Sequence, residues 1–177
     1  MKENIFIGQH ERDEDQGATA AVALLLVWDP DLEILLVERV HRSGDPWSGH
    51  IAFPGGKRSP HDATLRDTIV RETDEEVGVS LQDHNILGVL HSFVSLPRSD
   101  MKILPFVIHL DGKPQVTLNR EELQSYMWVS VKELQEFEGK AQTLFGEVPA
   151  YIVGEYVVWG LTYRILKHFL TLVKPSG

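Results

Sequence analysis

The stretch FPGGKRSPHDATLRDTIVRETDEEVGV, residues 53 to 79, constrains the fold more than any other part of the chain. A proline and two glycines at 54 to 56 close a short apolar run, the segment from Ala63 to Val77 has helical character, and Gly78 stands where a helix stop belongs. The pattern predicts strand, turn and helix in that order. On the helix, Glu72 and Glu76 are four apart and share a face, with Glu75 about 60° to the side. Ile69, Val70 and Val77, with Thr73 between them, form the adjoining apolar stripe, so the carboxylates border the core. Like charges at that spacing destabilise a bare helix unless a cation joins them. Arg71, four before Glu75 and on the side away from the core, is placed to orient that carboxylate through an i, i+4 ion pair.

The rest of the chain alternates strands with helices. ATAAVALLLVWD and EILLVERV read as paired strands split by the turn PDLE, and HIAF as a short strand after the loop HRSGDPWSG. ILGVLHSFVSL and KILPFVIHL read as strands joined by PRSD, and SYMWVSV as a strand before the short helix VKELQEF. In GEYVVWGLTYRILKHFLTLV, Val157, Leu161, Ile165 and Phe169 recur at intervals of four and predict one long final helix, on which Trp159 and Tyr163 are packing residues. Strands interleaved with substantial helices imply an α/β layer fold.

Composition narrows the chemistry. The 177 residues, 42% of them hydrophobic, are enough for one well-packed domain over residues 1–177, of which 1–17 form a polar N-terminal segment. With 17 basic against 26 acidic residues, a net charge of -9 argues against nucleic acid or an anionic membrane as partner. An anionic substrate would need a cation to offset that charge. The absence of cysteine removes disulfides, thiolate metal sites and a cysteine nucleophile. No signal-like or membrane-spanning apolar run occurs, which points to a cytoplasmic protein.

An acidic run such as RETDEE is usually a solvated helix face. The preceding FPGGK changes that reading, because Gly55 and Gly56 allow close backbone approach and offer carbonyl oxygens opposite the carboxylates. Oxygen ligands without histidine or thiol favour magnesium or manganese, ions that bridge and neutralise phosphate oxygens. The order Gly56, Arg71, Glu72, Glu75, Glu76, Gly78, Val79 resembles the Nudix box. Thr73 stands where the box has an aliphatic residue, Asp62 where it has an upstream glutamate, and the spacing from Gly56 to Arg71 is one residue longer than standard. The longer spacing, with ILLVERVHRSGDPWSGHIAFPGGK and VVWGLTYRIL, is similar to the coenzyme A pyrophosphatase branch, although that branch's second arginine falls on Asp45.

The resemblance implies a Nudix fold, a mixed sheet sandwiched between helices (α/β/α), and a metal-dependent pyrophosphohydrolase. It would cleave a nucleoside diphosphate linked to a second group. It implies that Glu72, Glu76 and the Gly55 carbonyl bind the metal, and that Glu75 binds a second ion or activates water. A base from a later loop would be Glu122 or Glu121, in NREELQSYMWV, with Glu122 the better aligned. Arg39, Arg42 and Gly56 are the expected substrate contacts, arginine presenting a planar fork to phosphate. Trp47, His50 and His61 are left outside the site. The anion at Asp45 tilts the expectation to sugar nucleotides such as ADP-ribose, with coenzyme A next. A triphosphate pyrophosphohydrolase and a non-catalytic nucleotide-binding module are the other readings, and a homodimer is common in the family.

Overall fold

The computed structural model describes residues 17–45, 47–82, 85–96 and 100–173, so the expected polar segment before Gly17 and most of the PRSD loop lie outside the described residues. Strand β1 (Ala20–Trp28) is the spine of the sheet. Its near-continuous apolar run is buried on both sides: Leu24 and Leu26 enter one core, while Ala21, Ala23, Leu25 and Val27 enter the other. One edge of β1 pairs in parallel with β7 (Lys102–His109). The opposite edge is divided: Leu26–Trp28 pair antiparallel with β2 (Leu32–Arg39), and Ala20–Val22 with β4 (Gly55–Lys57). β3 (Ile51–Ala52) and β8 (Leu123–Ser130) pair with β2, while β5 (Ile86–Val89) and β6 (Phe93–Val94) pair with β7, completing a mixed sheet.

Helix α1 (Leu65–Val77) covers one face, seating Leu65, Ile69 and Val77 against Ala21, Ala23, Leu25, Leu104 and Phe106. Both of its ends are locally specified. Thr64 accepts from the Asp67 N–H while the Asp67 side chain accepts from the Thr64 N–H, and Gly78 takes a left-handed φ of 68° that lets its N–H cap the last turn. The other face carries α2 (Val131–Glu136) and α3 (Gly160–Leu172), whose Leu134, Ile165, Leu166 and Phe169 pack on Leu24, Leu26, Ile34 and Leu36. The sheet between α1 and the α2/α3 layer is the expected α/β/α arrangement.

Four local expectations are corrected. The final helix begins at Gly160, and the residues before it form a second antiparallel sheet of β9 (Glu138–Thr143), β10 (Gly146–Val153) and β11 (Tyr156–Trp159). Val157 therefore lies on a strand; its match to the helical spacing is accidental, and Trp159 ends that strand instead of riding the helix. The run ILGVLHSFVSL is two short strands, β5 and β6: the Leu90 N–H still donates to the Pro105 carbonyl of β7, but Pro105 has no N–H to return a bond. The glycine turn is a strand: β4 is pressed so closely on β1 that a Cβ on Gly55 would lie 2.2 Å from the Ala21 carbonyl oxygen.

Candidate active site

The chain from Ile51 to Lys57 crosses from β2 to β1, and this crossing brings β4 under α1. The Pro54 carbonyl accepts from the Ala23 N–H and the Arg58 N–H donates to the Thr19 carbonyl, so the main-chain groups of residues 54, 56 and 58 turn towards β1. Those of Gly55 and Lys57 turn towards the helix. The Gly55 N–H donates to Glu76 Oε2 at 2.9 Å, and the Lys57 carbonyl accepts from Arg71 at 3.3 Å. A Cβ on Gly56 would stand 2.5 Å from Glu72 Oε1, so glycine is required here for the carboxylate to lie on the strand.

Arg71 organises the acidic edge of α1. It donates to Asp62 Oδ1 at 3.1 Å and Oδ2 at 2.8 Å, to Glu72 Oε1 at 2.9 Å and to Glu75 Oε2 at 3.1 Å. The expected i, i+4 pair with Glu75 is present, but Arg71 does not point away from the protein; its strongest partner is the buried Asp62. Asp62 also accepts from the Ser59 N–H and the Thr68 hydroxyl, and the Arg71 guanidinium holds its carboxyl well below the usual range. Asp62, the shorter acid in the upstream position, thus fixes the arginine that aims Glu72 and Glu75.

Glu76 is 4% exposed. Burial first, and then the neighbouring Glu72 and Glu122 carboxylates, push it up to about 8 against the pull of the Gly55 N–H. Burial also raises Glu72, which Arg71 opposes. The turn carrying Glu122 is tied to α1 by the Asn119 N–H on the Glu76 carbonyl, and the Glu122 charge acts on both Glu72 and Glu76, whereas Glu121 is fastened by its main chain, its N–H donating to Asn119 Oδ1 and its carbonyl accepting from Arg42. Of the two loop glutamates, it is Glu122 that the fold brings to the α1 carboxylates.

The expected substrate arginines both have protein partners. Arg39 Nη2 meets Asp45 Oδ2 at 3.2 Å, and its buried Nε has no hydrogen-bond partner. The Trp47 N–H and then Arg39 hold Asp45 below its ordinary range. His50, left out on sequence grounds, packs its ring 4.9 Å from that of Trp159, and burial lowers its proton affinity. Sequence reasoning missed Asn119, whose N–H donates to the Glu76 carbonyl at 2.9 Å and ties the Glu122 turn to α1. No local signal identifies a main-chain contact between segments so far apart in sequence.

Among the described residues no three His, Asp or Glu side chains already converge on one ion position, and Glu72 is turned to Arg71. The donor chemistry nevertheless fits a hard divalent cation: the carboxylates of Glu72 and Glu76 lie against β4 at Gly56 and Gly55, and a buried carboxylate among like charges is stabilised by a cation.

The NUDIX domain family model matches residues 17–145. The chain belongs to the Nudix family. Members of the family generally use divalent metals such as magnesium or manganese and act on small-molecule nucleotides. This Nudix chain is 29% identical over 181 residues to the human mitochondrial coenzyme A diphosphatase NUDT8, covering 97% of this chain and 76% of that protein. The mouse protein of the same name is 29% identical over 137 residues, 72% of this chain and 64% of its own length. Since these relatives are mitochondrial by name, they lend nothing to the cytoplasmic expectation. Among the described residues no helix is long and apolar enough to cross a membrane. A MutT/nudix family protein from Enterococcus faecalis shares the fold, with a TM-score of 0.63 at 20% identity over 84% of this chain and 59% of that one.

Proposed function

We propose that this Nudix chain is a divalent-cation-dependent diphosphatase that cleaves a nucleoside diphosphate linked to a second group, with coenzyme A the favoured substrate. The observation that carries the reading is the seating of the buried Glu76 on the Gly55 N–H and of Glu72 on Gly56, along the edge of a helix whose Arg71 is already anchored by Asp62. Residues 1–177 would act as a single domain.

Glu72, Glu76 and the Gly55 carbonyl would hold the cation, with Glu75 at a second ion or at the attacking water. A cation bound there screens the phosphate charges and acidifies water. Water attacks one phosphorus, the bond from that phosphorus to the bridging oxygen breaks, and the proton leaving the water passes to Glu122. The products are a nucleoside carrying one phosphate from the broken diphosphate, together with any further phosphate it already bore, and the phosphorylated remainder. Gly56 lets the Glu72 carboxylate lie against β4, and the Arg39 guanidinium would supply positive charge to the diphosphate.

The coenzyme A reading draws on the named activity of the human and mouse relatives and on the upstream segment of this chain. A second reading, sugar nucleotides such as ADP-ribose, draws on the Arg39–Asp45 pair. Part of the guanidinium charge is spent on Asp45, and coenzyme A carries a further phosphate that ADP-ribose lacks. The deciding experiment incubates the full chain and magnesium with coenzyme A, ADP-ribose, a GDP-sugar and a nucleoside triphosphate, and resolves the products. Fastest cleavage of coenzyme A supports the proposal. Preference for a sugar nucleotide replaces it with the second reading, and pyrophosphate released from the triphosphate refutes both. Binding without any product would make the chain a nucleotide-sensing module.

A further inference from the structure

We propose that Arg42 is a positioning residue that clamps the Glu122 turn against α1, in place of the phosphate ligand its sequence suggests. The proposal rests on Glu122 receiving the proton in the reaction above. The turn from Thr117 to Leu123 is strung between two anchors. On the α1 side, the Thr117 and Asn119 N–H groups donate to the Val77 and Glu76 carbonyls, each at 2.9 Å. On the β2 side, the Val40 N–H donates to the Glu122 carbonyl at 2.9 Å, and Arg42 Nη2 donates to the Glu121 carbonyl. Inside the turn, the Glu122 and Leu123 N–H groups converge on the Asn119 carbonyl at 3.1 and 2.9 Å.

Among the four anchoring bonds, three are main chain to main chain and the fourth comes from the Arg42 side chain. Arg42 is itself held in place. Its N–H donates to Ser48 Oγ at 2.6 Å, and its carbonyl accepts from the Asp45 N–H at 3.3 Å. The guanidinium thus reaches across 79 positions of sequence to the residue before Glu122. Because Glu121 and Glu122 are exposed, the Glu121 carbonyl can turn to water if Arg42 is removed, so the fold loses little. The placement of Glu122 loses its brace. A misplacement of about 1 Å can cost on the order of a hundredfold in rate.

The test compares Arg42→Ala, Glu122→Gln and the double variant in the full chain with magnesium, on the best substrate of the panel. Amide hydrogen exchange at Val40 and Asn119 is read on the same proteins. Arg42→Ala is expected to lower kcat about ten- to a hundredfold with KM within about twofold, and to add nothing once Glu122 is changed. Exchange at both amides should quicken in Arg42→Ala while the thermal unfolding transition stays in place. A raised KM with kcat kept, an additive double variant, or unchanged exchange would each return Arg42 to phosphate binding and reject the clamp. If the wild-type chain cleaves nothing, the proposed function has failed, and the exchange result alone still decides whether Arg42 holds the turn.

Discussion

Glu76 combines three properties that rarely coincide in one side chain: near-complete burial, a charged partner set of its own sign, and a main-chain N–H at hydrogen-bond distance. Glu76→Gln removes the charge with little change in volume, and its amide oxygen can still accept the Gly55 N–H. We expect turnover to fall by about a thousandfold or more, the several kcal/mol a bound cation contributes to phosphoryl chemistry, with no loss of unfolding temperature. Steady-state kinetics beside calorimetry checks both halves; retained activity would remove Glu76 from the ion site. Gly56 makes a different demand, for space. In Gly56→Ala the new methyl meets the Glu72 carboxylate, the flexible end of a side chain, so the carboxylate and not the strand gives way. The expected outcome is a fall in magnesium affinity of about tenfold with stability lowered by at most about 1 kcal/mol, read by titrating magnesium against activity and by denaturant unfolding. The proximity of these residues was legible: helical spacing put Glu72 and Glu76 on one face, and the glycines before the helix marked where the backbone could approach them. Glu122 was preferred to Glu121 by alignment with the resemblance alone; which of two adjacent turn residues is aimed at α1 is a matter of the folded backbone.

Helix α1 is the element that turns these residues into a site. Its caps are encoded locally, by Thr64 with Asp67 at one end and Gly78 at the other, so its bounds could be read from sequence to within two residues. Thr73 interrupts the apolar stripe that faces the sheet. It is fully buried, and its hydroxyl has no hydrogen-bond partner. An aliphatic residue of the same shape removes that unsatisfied group. Thr73→Val is therefore expected to stabilise the protein by about 1 kcal/mol, visible as a shifted urea midpoint at constant slope. A destabilised variant would show that the hydroxyl finds a partner in solution. The second sheet shows the opposite case. In EGKAQTLFGEVPAYIV most side chains of β9 face solvent, so no apolar alternation announces the strand, and the i, i+4 spacing from Val157 imitates a helix until Gly160. Only pairing with β10 and β11 makes those residues strands.

At the scale of the molecule, the second sheet must be held to the α3 layer for the core beneath it to close. Tyr151 and Val158 contribute by burial, and Glu138 at the start of β9 contributes by charge, accepting from Lys167 at 2.6 and 2.8 Å and from the Tyr163 hydroxyl at 2.7 Å. Lys167 and then Tyr163 lower the Glu138 proton affinity in the folded state. The sign follows. The unfolded chain takes up this proton first as pH falls, so the contribution is complete above the ordinary glutamate range, near pH 4.3, and is lost as pH drops through the lower folded value. Glu138→Gln should cost at most about 1 kcal/mol at pH 7, because the pair is partly exposed, and progressively less towards pH 3. Denaturant unfolding of both proteins across that range tests it, and a difference that grows in acid would contradict the assignment. Legible in the chain alone are the features written within a few residues: the capped helix, the acidic edge at i, i+4 spacing, the buried strand β1 and the family they mark. Folding in three dimensions settled which separated segments meet: the pressing of β4 onto β1 and the hanging of the Glu122 turn between α1 and β2. Local propensity reaches only one or two turns of chain, whereas these contacts form when burial of the two cores brings strands and turns together from opposite ends of the sequence.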